Sequence, residues 1–322
     1  MRGKSINGLM SHIRDSHNVN INGSVDKKRL TEMGYYHGYK AYRFLKDNTN
    51  PLNVSEFSQI TAIYNYDMSL KQIMYPYIMK LETLLKNVVL NEIVTDNVSF
   101  SNIFENHLTH FRELPTGTDA YKKEMSKRLR LKSQLERLIA DNYARPYVKH
   151  YINSERSLPI WAYFELMMMS DFGNFVSLLN TQTKLNVAKS LHTADSAIDT
   201  DGSILVDHIF ILKDLRNAIA HNNIVFDTRF SNARIKTRVG KQLKTEFNIT
   251  VDINFKTITD YPILIAHYFH NFGQPKSETK RFINSFLNCA EKLKTDLNNN
   301  SITFRILGSD YKLKLQAVID NL

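Results

Sequence analysis

The stretch that decides the fold is Leu215-Arg216-Asn217-Ala218-Ile219-Ala220-His221, the end of a segment that runs from about Leu205 to Asn222. Apolar residues recur in this segment every three or four positions, as they do on the buried face of an amphipathic helix. They are Ile209, Leu212, Leu215 and Ile219. Arg216, Asn217 and His221 lie on or near the opposite side. The pattern therefore predicts a helix that buries one face and carries polar groups near its C-terminal end.

An earlier segment, Thr61 to Ile93, predicts a longer helix of the same kind. Its apolar stripe consists of Ile73, Tyr77, Leu81, Leu84, Leu85 and Val88. Pro76 falls inside this pattern, so it either kinks the helix or occupies the first turn of a second one. Glu82 and Lys86 stand four positions apart and are expected to pair on the helix in a structural role. A further helix is predicted from about Ile160 to Leu179, and the fold class is mainly α.

The composition is that of an ordinary globular chain. Of its 322 residues, 43% are hydrophobic and 23% are charged, which suits one large domain or two ordinary ones. The single cysteine, Cys289, permits neither a disulfide within the chain nor a cysteine metal cage. Residues 1–22 are too polar for a signal peptide, and no apolar run approaches the ~18 residues of a membrane span. These features predict a cytoplasmic protein.

The charge is strongly basic, with a formal net value of +10. A basic surface attracts polyanions, of which nucleic acid is the commonest in the cytoplasm, although solubility or an acidic protein partner would also explain the charge. Two segments concentrate the basic residues, one at 120–140 and one at 229–245. The candidate RNA contacts are Lys127, Arg128 and Arg130 in the first, and Arg229, Arg234, Lys236, Arg238 and Lys241 in the second. The simpler interpretation of a charge run is a solvated helix face.

The character of the sequence changes after Phe226. Alternation in residues 234–239, then Gly240, then the run 247–253, predicts a small basic β-hairpin. Helices resume from about Tyr261 to Leu297. We therefore divide the chain into a flexible N-terminal arm (1–25), a helical domain (26–228) and a C-terminal extension with the hairpin followed by helices (229–322).

The polar groups near His221 have the chemistry that RNA cleavage requires. Asn217 and His221 are four residues apart and share a helix face, while the long side chain of Arg216 reaches the same patch. Arginine holds phosphate through paired hydrogen bonds, and histidine moves protons near neutral pH. The 2′-hydroxyl of RNA is its own nucleophile, so no metal-bound water is needed. Spacing alone is weak support, because a histidine at a helix end often only interacts with the helix dipole.

Several stretches together resemble a known family. The run 215–221 resembles the signature of the HEPN superfamily, an arginine followed after four to six residues by histidine, with a polar residue after the arginine. The runs Tyr35–Tyr42, Ile63–Leu70 and Leu158–Glu165 are similar, in order, to elements of the Abi-like proteins, the AbiD and AbiF group of abortive infection systems. The resemblance covers about residues 26–228.

The resemblance implies a fold and a function. The fold would be a HEPN-type helical bundle with N-terminal helical additions and the C-terminal extension. The protein would be an antiviral toxin of bacteria, a metal-independent and cofactor-free endoribonuclease acting as a homodimer. His221 would be the general acid or base, Arg216 would bind and polarise the phosphate, and Asn217 would orient His221 or the phosphate.

Two other functions remain open at this point. HEPN domains can bind RNA without cutting it, so the chain could be a module held in complex with a guide or antitoxin RNA. It could also be a protein-interaction module that assembles with an antitoxin protein of the nucleotidyltransferase type. Material that copurifies with the protein would separate these possibilities.

Overall fold

A computed structural model describes residues 3–94, 98–195, 197–231 and 236–322 of the chain. Over these ranges the protein is built from α-helices, together with one short π-helix and one short 3₁₀ helix. Within the same ranges, pairing between extended segments is confined to three isolated bridges. The prediction of a mainly α fold is therefore confirmed.

The elements follow in one long series, in which α3 is the longest at 37 residues. In chain order they are α1 Ile6–His17, α2 Gly23–Met33, the π-helix Tyr35–Lys40, α3 Phe57–Ile93, α4 Phe100–Asn106, the 3₁₀ helix His110–Glu113, α5 Asp119–Asp141, α6 Pro146–Asn153, α7 Ile160–Leu166, α8 Met169–Leu178, α9 Thr181–Ser190, α10 Ser203–Ala220, α11 Thr237–Glu246, α12 Asp260–Asn271, α13 Lys276–Leu297, α14 Asn300–Leu307 and α15 Tyr311–Asn321. Among the helices of the described ranges, none combines the length and apolar character that crossing a membrane requires.

Helix α3 is the element against which much of the protein packs. Helices α9, α10, α12 and α13 all lie against it. Its buried side repeats every three or four residues, through Leu70, Met74, Ile78, Leu81 and Leu85. Pro76 lies inside the continuous helix and on its exposed side. Proline has no N–H, and at this position water can hydrate the carbonyl group that is left without a helical donor.

One hydrophobic core extends from the N-terminal helix to the C-terminal helix. It includes Ile13 of α1, Phe172 of α8, Leu212 of α10 and Leu315 of α15. The structure thus differs from the expected flexible arm, because residues 6–17 form α1 and bury Ile13 completely. Burial of such side chains contributes about 25 cal/mol per Å² of apolar area, which is enough to order the N-terminal helix against the rest.

The predicted C-terminal β-hairpin was wrong over the described part of its range. Residues 237–246 form α11, and residues 247–259 form an irregular segment that returns along it. Val239 and Leu243, four positions apart, are both fully buried, so the helical period and not the alternation decides the structure. Gly240 makes this packing possible, since a Cβ atom there would lie 2.0 Å from the carbonyl oxygen of Ile253. Arg234 lies outside the described residues.

Candidate functional site

The helix that carries the candidate site is fixed firmly at its N-terminal end. The carboxylate of Asp199 accepts hydrogen bonds from the backbone N–H groups of Ser203 and Ile204, at 3.0 and 3.2 Å. These bonds satisfy donors that the first turn of a helix leaves without partners. Gly202 precedes the helix in the left-handed region (φ 68°), in contact with Lys184, where a side chain would clash. Helix α10 then packs its apolar face against α3 and α8, which fixes the position of its polar C-terminal end.

Arg216 and Asn217 are brought together at that end. Nη1 of Arg216 donates to Oδ1 of Asn217 at 3.2 Å. Nε of Arg216 donates to Oε2 of Glu82, on α3, at 2.9 Å. The Arg216 side chain keeps about a quarter of its surface exposed, at 24%. The guanidinium is therefore held along one edge by protein while another part of it faces solvent.

Glu82 is the shared anion of this site. Its carboxylate is nearly buried, and its second oxygen, Oε1, lies 3.1 Å from Nζ of Lys86. Lys86 in turn donates to the backbone carbonyl of Met167 at 2.7 Å. The predicted Glu82–Lys86 pair is confirmed. A carboxylate in so little water requires such partners. Here it joins α3 to α10 directly, and through Lys86 it is connected to the end of α7.

His221 is the residue at which α10 ends. Its backbone N–H donates to the carbonyl of Asn217 at 3.0 Å, as in a last helical turn. Its side chain is exposed, and no described residue forms a hydrogen bond with the imidazole ring. An exposed imidazole can exchange protons with a bound molecule or with water. Arg216 and Asn217 lie in the last two turns of α10, and His221 caps the helix directly after them.

The chain that follows His221 is held by a buried carboxylate. Asp67, fully buried on α3, accepts the backbone N–H groups of Val225 and Phe226 at 2.7 and 2.8 Å. It also pairs with Lys71 at 2.7 Å and accepts the hydroxyl of Tyr42 at 2.7 Å. Burial, and after it the neighbouring Asp67 carboxylate, raises the pKa of Tyr42 far above its ordinary value. Tyr42 therefore stays a donor at every relevant pH.

Lys71 extends this clamp to the residue beside the histidine. Its ammonium group donates to Oδ1 of Asn222 at 2.9 Å. Asn222 adopts a left-handed backbone conformation (φ 52°), which asparagine tolerates better than most residues. Sequence reasoning did not assign Glu82, Asp67 or Lys71 to the site. The only signal was that charged residues interrupt or flank an apolar stripe, and a surface position explains that equally well.

The predicted RNA contacts fall into two groups. Three of the arginines are engaged inside the protein. Arg128 is 6% exposed and donates to the carbonyls of Phe104 and Leu108. Arg229 pairs with Asp227 and donates to the carbonyls of Ala41 and Phe44. Arg238 pairs with Asp207 at 3.1 Å. These three side chains connect helices and loops.

The remaining predicted contacts lie at the surface. Lys127 and Arg130 are exposed on α5, and Lys241 is exposed on α11. Lys236, at the start of α11, is exposed but lies 3.0 Å from Asp207. Among the described residues, no cluster of three or more histidine, cysteine, aspartate or glutamate side chains is arranged to hold a metal ion.

Fold and site together define a mainly α-helical protein with an arginine, an asparagine and an exposed histidine at the end of an internal helix. A family model described as Abi-like protein matches residues 28–227. That match covers more than half of the chain, and the chain belongs to the Abi-like family. The matched range contains Arg216, Asn217 and His221, and it also contains Glu82, Asp67 and Lys71. Neither a search of curated proteins nor a search of solved structures found a match.

Proposed function

We propose that this protein is a metal-independent endoribonuclease that acts on RNA during abortive infection. Membership of the Abi-like family points to phage defence as the setting. The observation that carries the enzymatic part is the C-terminal end of α10, where a partly exposed Arg216 donates to Asn217 and an exposed His221 ends the helix. In this setting, cleavage of RNA in the cytoplasm would stop the growth of an infected bacterium.

The proposed reaction is attack of the RNA 2′-hydroxyl on the adjacent phosphorus. A histidine takes the 2′-hydroxyl proton, the 2′-oxygen–phosphorus bond forms, and the bond to the 5′-oxygen breaks. A second, protonated histidine gives its proton to that 5′-oxygen. The products are a 2′,3′-cyclic phosphate and a 5′-hydroxyl, with atoms and charges balanced.

Arg216 is suited to hold the phosphate. A guanidinium has five N–H donors, and the contacts to Glu82 and Asn217 use the one on Nε and one on Nη1. The other donors have no partner among the described residues and are available to phosphate oxygens. Because Glu82 fixes the guanidinium before substrate arrives, little reorganisation accompanies the build-up of charge on the phosphate.

The working unit of this proposal is a homodimer. In-line attack needs a base at the 2′-oxygen and an acid at the 5′-oxygen, on opposite sides of one phosphorus. A chain contributes one His221, so a two-fold axis beside α10 would bring a second histidine to the site. Adding an excess of His221→Ala chains to the wild type tests this arrangement. Cleavage per wild-type chain should fall steeply, because a mixed dimer holds a single His221, and an unchanged rate per wild-type chain would contradict the shared site.

The decisive experiment is incubation of the purified protein with total RNA in EDTA. The wild type should produce fragments that end in 2′,3′-cyclic phosphate, and His221→Ala should not. His150→Ala is the matched control, because His150 is another exposed histidine near the end of a helix, α6. If the wild type leaves RNA intact but retains it through purification, the protein is an RNA-binding module and the proposed cleavage is wrong.

A further inference from the structure

A polar cavity of about 470 Å³ opens directly beside the candidate site. It lies between α2, the π-helix, α3 and the chain after His221. Six of its lining residues carry groups that can bind a ligand: Glu32, His37, Tyr64, Asn222, Asn223 and Arg229. Its volume is within the usual range for small-molecule sites. Neither the proposed chemistry nor the family match assigns this cavity a role.

The cavity is next to the proposed proton-transfer group along the chain. Asn222 and Asn223 immediately follow His221 and line the cavity wall. Consecutive Cα atoms are about 3.8 Å apart, so the backbone of Asn223 lies within about 8 Å of that of His221. This separation is comparable with the size of one nucleotide. A strand whose phosphate lies at His221 would therefore place a neighbouring nucleotide at the cavity.

One wall of the cavity is aromatic and fixed. The Tyr64 ring is half-buried and stands edge-on to Tyr42, with ring centres 5.3 Å apart. Tyr42 is itself stacked on Phe226 and bonded to Asp67, so it supports Tyr64 from behind. Flat aromatic walls bind unstacked nucleobases in many single-strand RNA sites.

The facing polar groups match the edge of a base. Because Oδ1 of Asn222 already accepts from Lys71, this side chain presents its amide donor. The exposed carboxamide of Asn223 offers both a donor and an acceptor, and its backbone is held separately by a 2.7 Å bond to the carbonyl of Ala218. Glu32 and His37 add polar groups from the opposite side.

The balance of charge favours a neutral ligand group over a phosphate. Arg229 lines the cavity, but its guanidinium is paired with the buried Asp227. Lys71, behind Asn222, is likewise paired with Asp67. Glu32 adds a further negative charge. A second anion would therefore gain little here, whereas a nucleobase would find donors, acceptors and an aromatic surface.

The cavity is also built before any ligand arrives. Within the π-helix, a Cβ atom at residue 38 would lie 2.4 Å from the carbonyl oxygen of Met33, so Gly38 permits the tight turn that places His37. Arg229 joins the opposite walls by donating to the carbonyls of Ala41 and Phe44. π-Helical turns are frequent at functional sites.

We propose that this cavity binds the nucleobase of the RNA nucleotide next to the scissile phosphate, and so sets the sequence preference of cleavage. The proposal rests on the proposed action on RNA. It assigns the π-helix and the residues after His221 a role in substrate selection that is separate from the proton transfers at His221.

The test uses full-length protein carrying His221→Ala, which binds without cleaving, and a short single-stranded RNA labelled with 2-aminopurine. Adding Tyr64→Ala should weaken binding roughly tenfold, since stacking of one base contributes on this scale. Tyr64→Phe keeps the ring and should bind within about twofold of its parent. Tyr75→Ala is the control, because Tyr75 is an exposed tyrosine of the same helix outside the cavity.

A second variant keeps the test independent of folding. Asn223→Ala leaves the backbone bond to Ala218 intact, and in the otherwise wild-type protein it should redistribute cleavage sites in total RNA. Unchanged binding in Tyr64→Ala together with unchanged cleavage sites in Asn223→Ala would overturn the base site. If the wild type never cleaves RNA but binds it in a way that depends on Tyr64, the proposed cleavage is wrong and the proposed base site is supported.

Discussion

Two histidines of helix α10 have opposite environments. His208 is 1% exposed, its Nδ1 lies 3.0 Å from the Tyr268 hydroxyl, and its ring centre is 5.5 Å from that of His267. Burial, and then the nearby His267 and Arg238, lowers the pKa of His208 well below its ordinary value. His221 is at the exposed end of the same helix, beside Arg216. The imidazole that packs between α10 and α12 supports the fold, and the one at the helix end is available for chemistry.

The sharpest test of this comparison replaces each histidine in turn and measures both RNA cleavage and stability. His221→Ala should lower RNA cleavage by about 10²-fold to 10⁴-fold, the usual contribution of a general acid or base, and leave stability nearly unchanged. His208→Ala should lower the free energy of unfolding by about 2–3 kcal/mol, because it removes a buried hydrogen bond and leaves a void. Its folded molecules should cleave at nearly the wild-type rate.

Denaturant unfolding and cleavage rates per folded molecule measure both effects. Loss of cleavage in a stable His208→Ala protein would contradict the division of roles. So would a His221→Ala protein that unfolds.

The next prediction concerns Glu82, which positions Arg216. Glu82→Gln keeps an acceptor but removes the charge, and should lower kcat by roughly 10-fold to 100-fold as Arg216 loses its fixed orientation. Glu82→Ala should lower it further and should also cost about 1–3 kcal/mol of stability, because Arg216 and Lys86 lose their shared partner.

Glu278→Gln provides the control, since Glu278 forms only a partly exposed pair with Lys80. A change confined to KM, with kcat intact, would show that Glu82 serves binding and not the orientation of Arg216.

Acid should destabilise the protein through His208. Its pKa in the folded state is below the ordinary value of 6.5, so the unfolded chain takes up this proton at a higher pH than the folded one. The stability from His208 is therefore fully present well above pH 6.5 and is lost as the pH falls from there toward the folded-state pKa. Between about pH 7.5 and 5.5 the free energy of unfolding should therefore fall further in the wild type than in a variant without this group.

Unfolding of His208→Gln at both pH values isolates that contribution by difference from the wild type. An equal pH dependence in wild type and His208→Gln would mean that other groups cause it.

The smallest effect is expected for the exposed basic residues. Replacing Lys127, Arg130 or Lys241 with alanine should each reduce the slope of log K against log salt for single-stranded RNA by about 0.7, if that side chain contacts one phosphate. Arg238→Ala should instead reduce stability, because it removes one of the two cations that pair with Asp207. A salt slope that none of the three exposed variants alters would leave them as a solvated surface.

The secondary structure could be predicted wherever the helical period was long and uninterrupted. The apolar stripes correctly predicted helices at α3 and α10, because each of these helices buries one face against its neighbours and exposes the other face to water. The 229–253 region misled the prediction because six alternating residues fit a strand and one helical face equally well. The buried Val239 and Leu243, and the close approach of the chain at Gly240, decide between them.

The sequence by itself determined the mainly helical class and the placement of Arg216, Asn217 and His221 near one helix end, since residues so close along a helix need no tertiary contact to be neighbours. Only the tertiary structure decided which charges surround that patch. Glu82 lies in a distant part of the sequence, and its choice of Arg216 as a partner follows from how α3 and α10 pack. In the same way, the approach of α5 to Phe104 and Leu108 encloses Arg128 and leaves Arg130 in water, although both belong to one basic run. Burial and partners are properties of the assembled helices, because a charge acquires its surroundings only when other parts of the chain cover it.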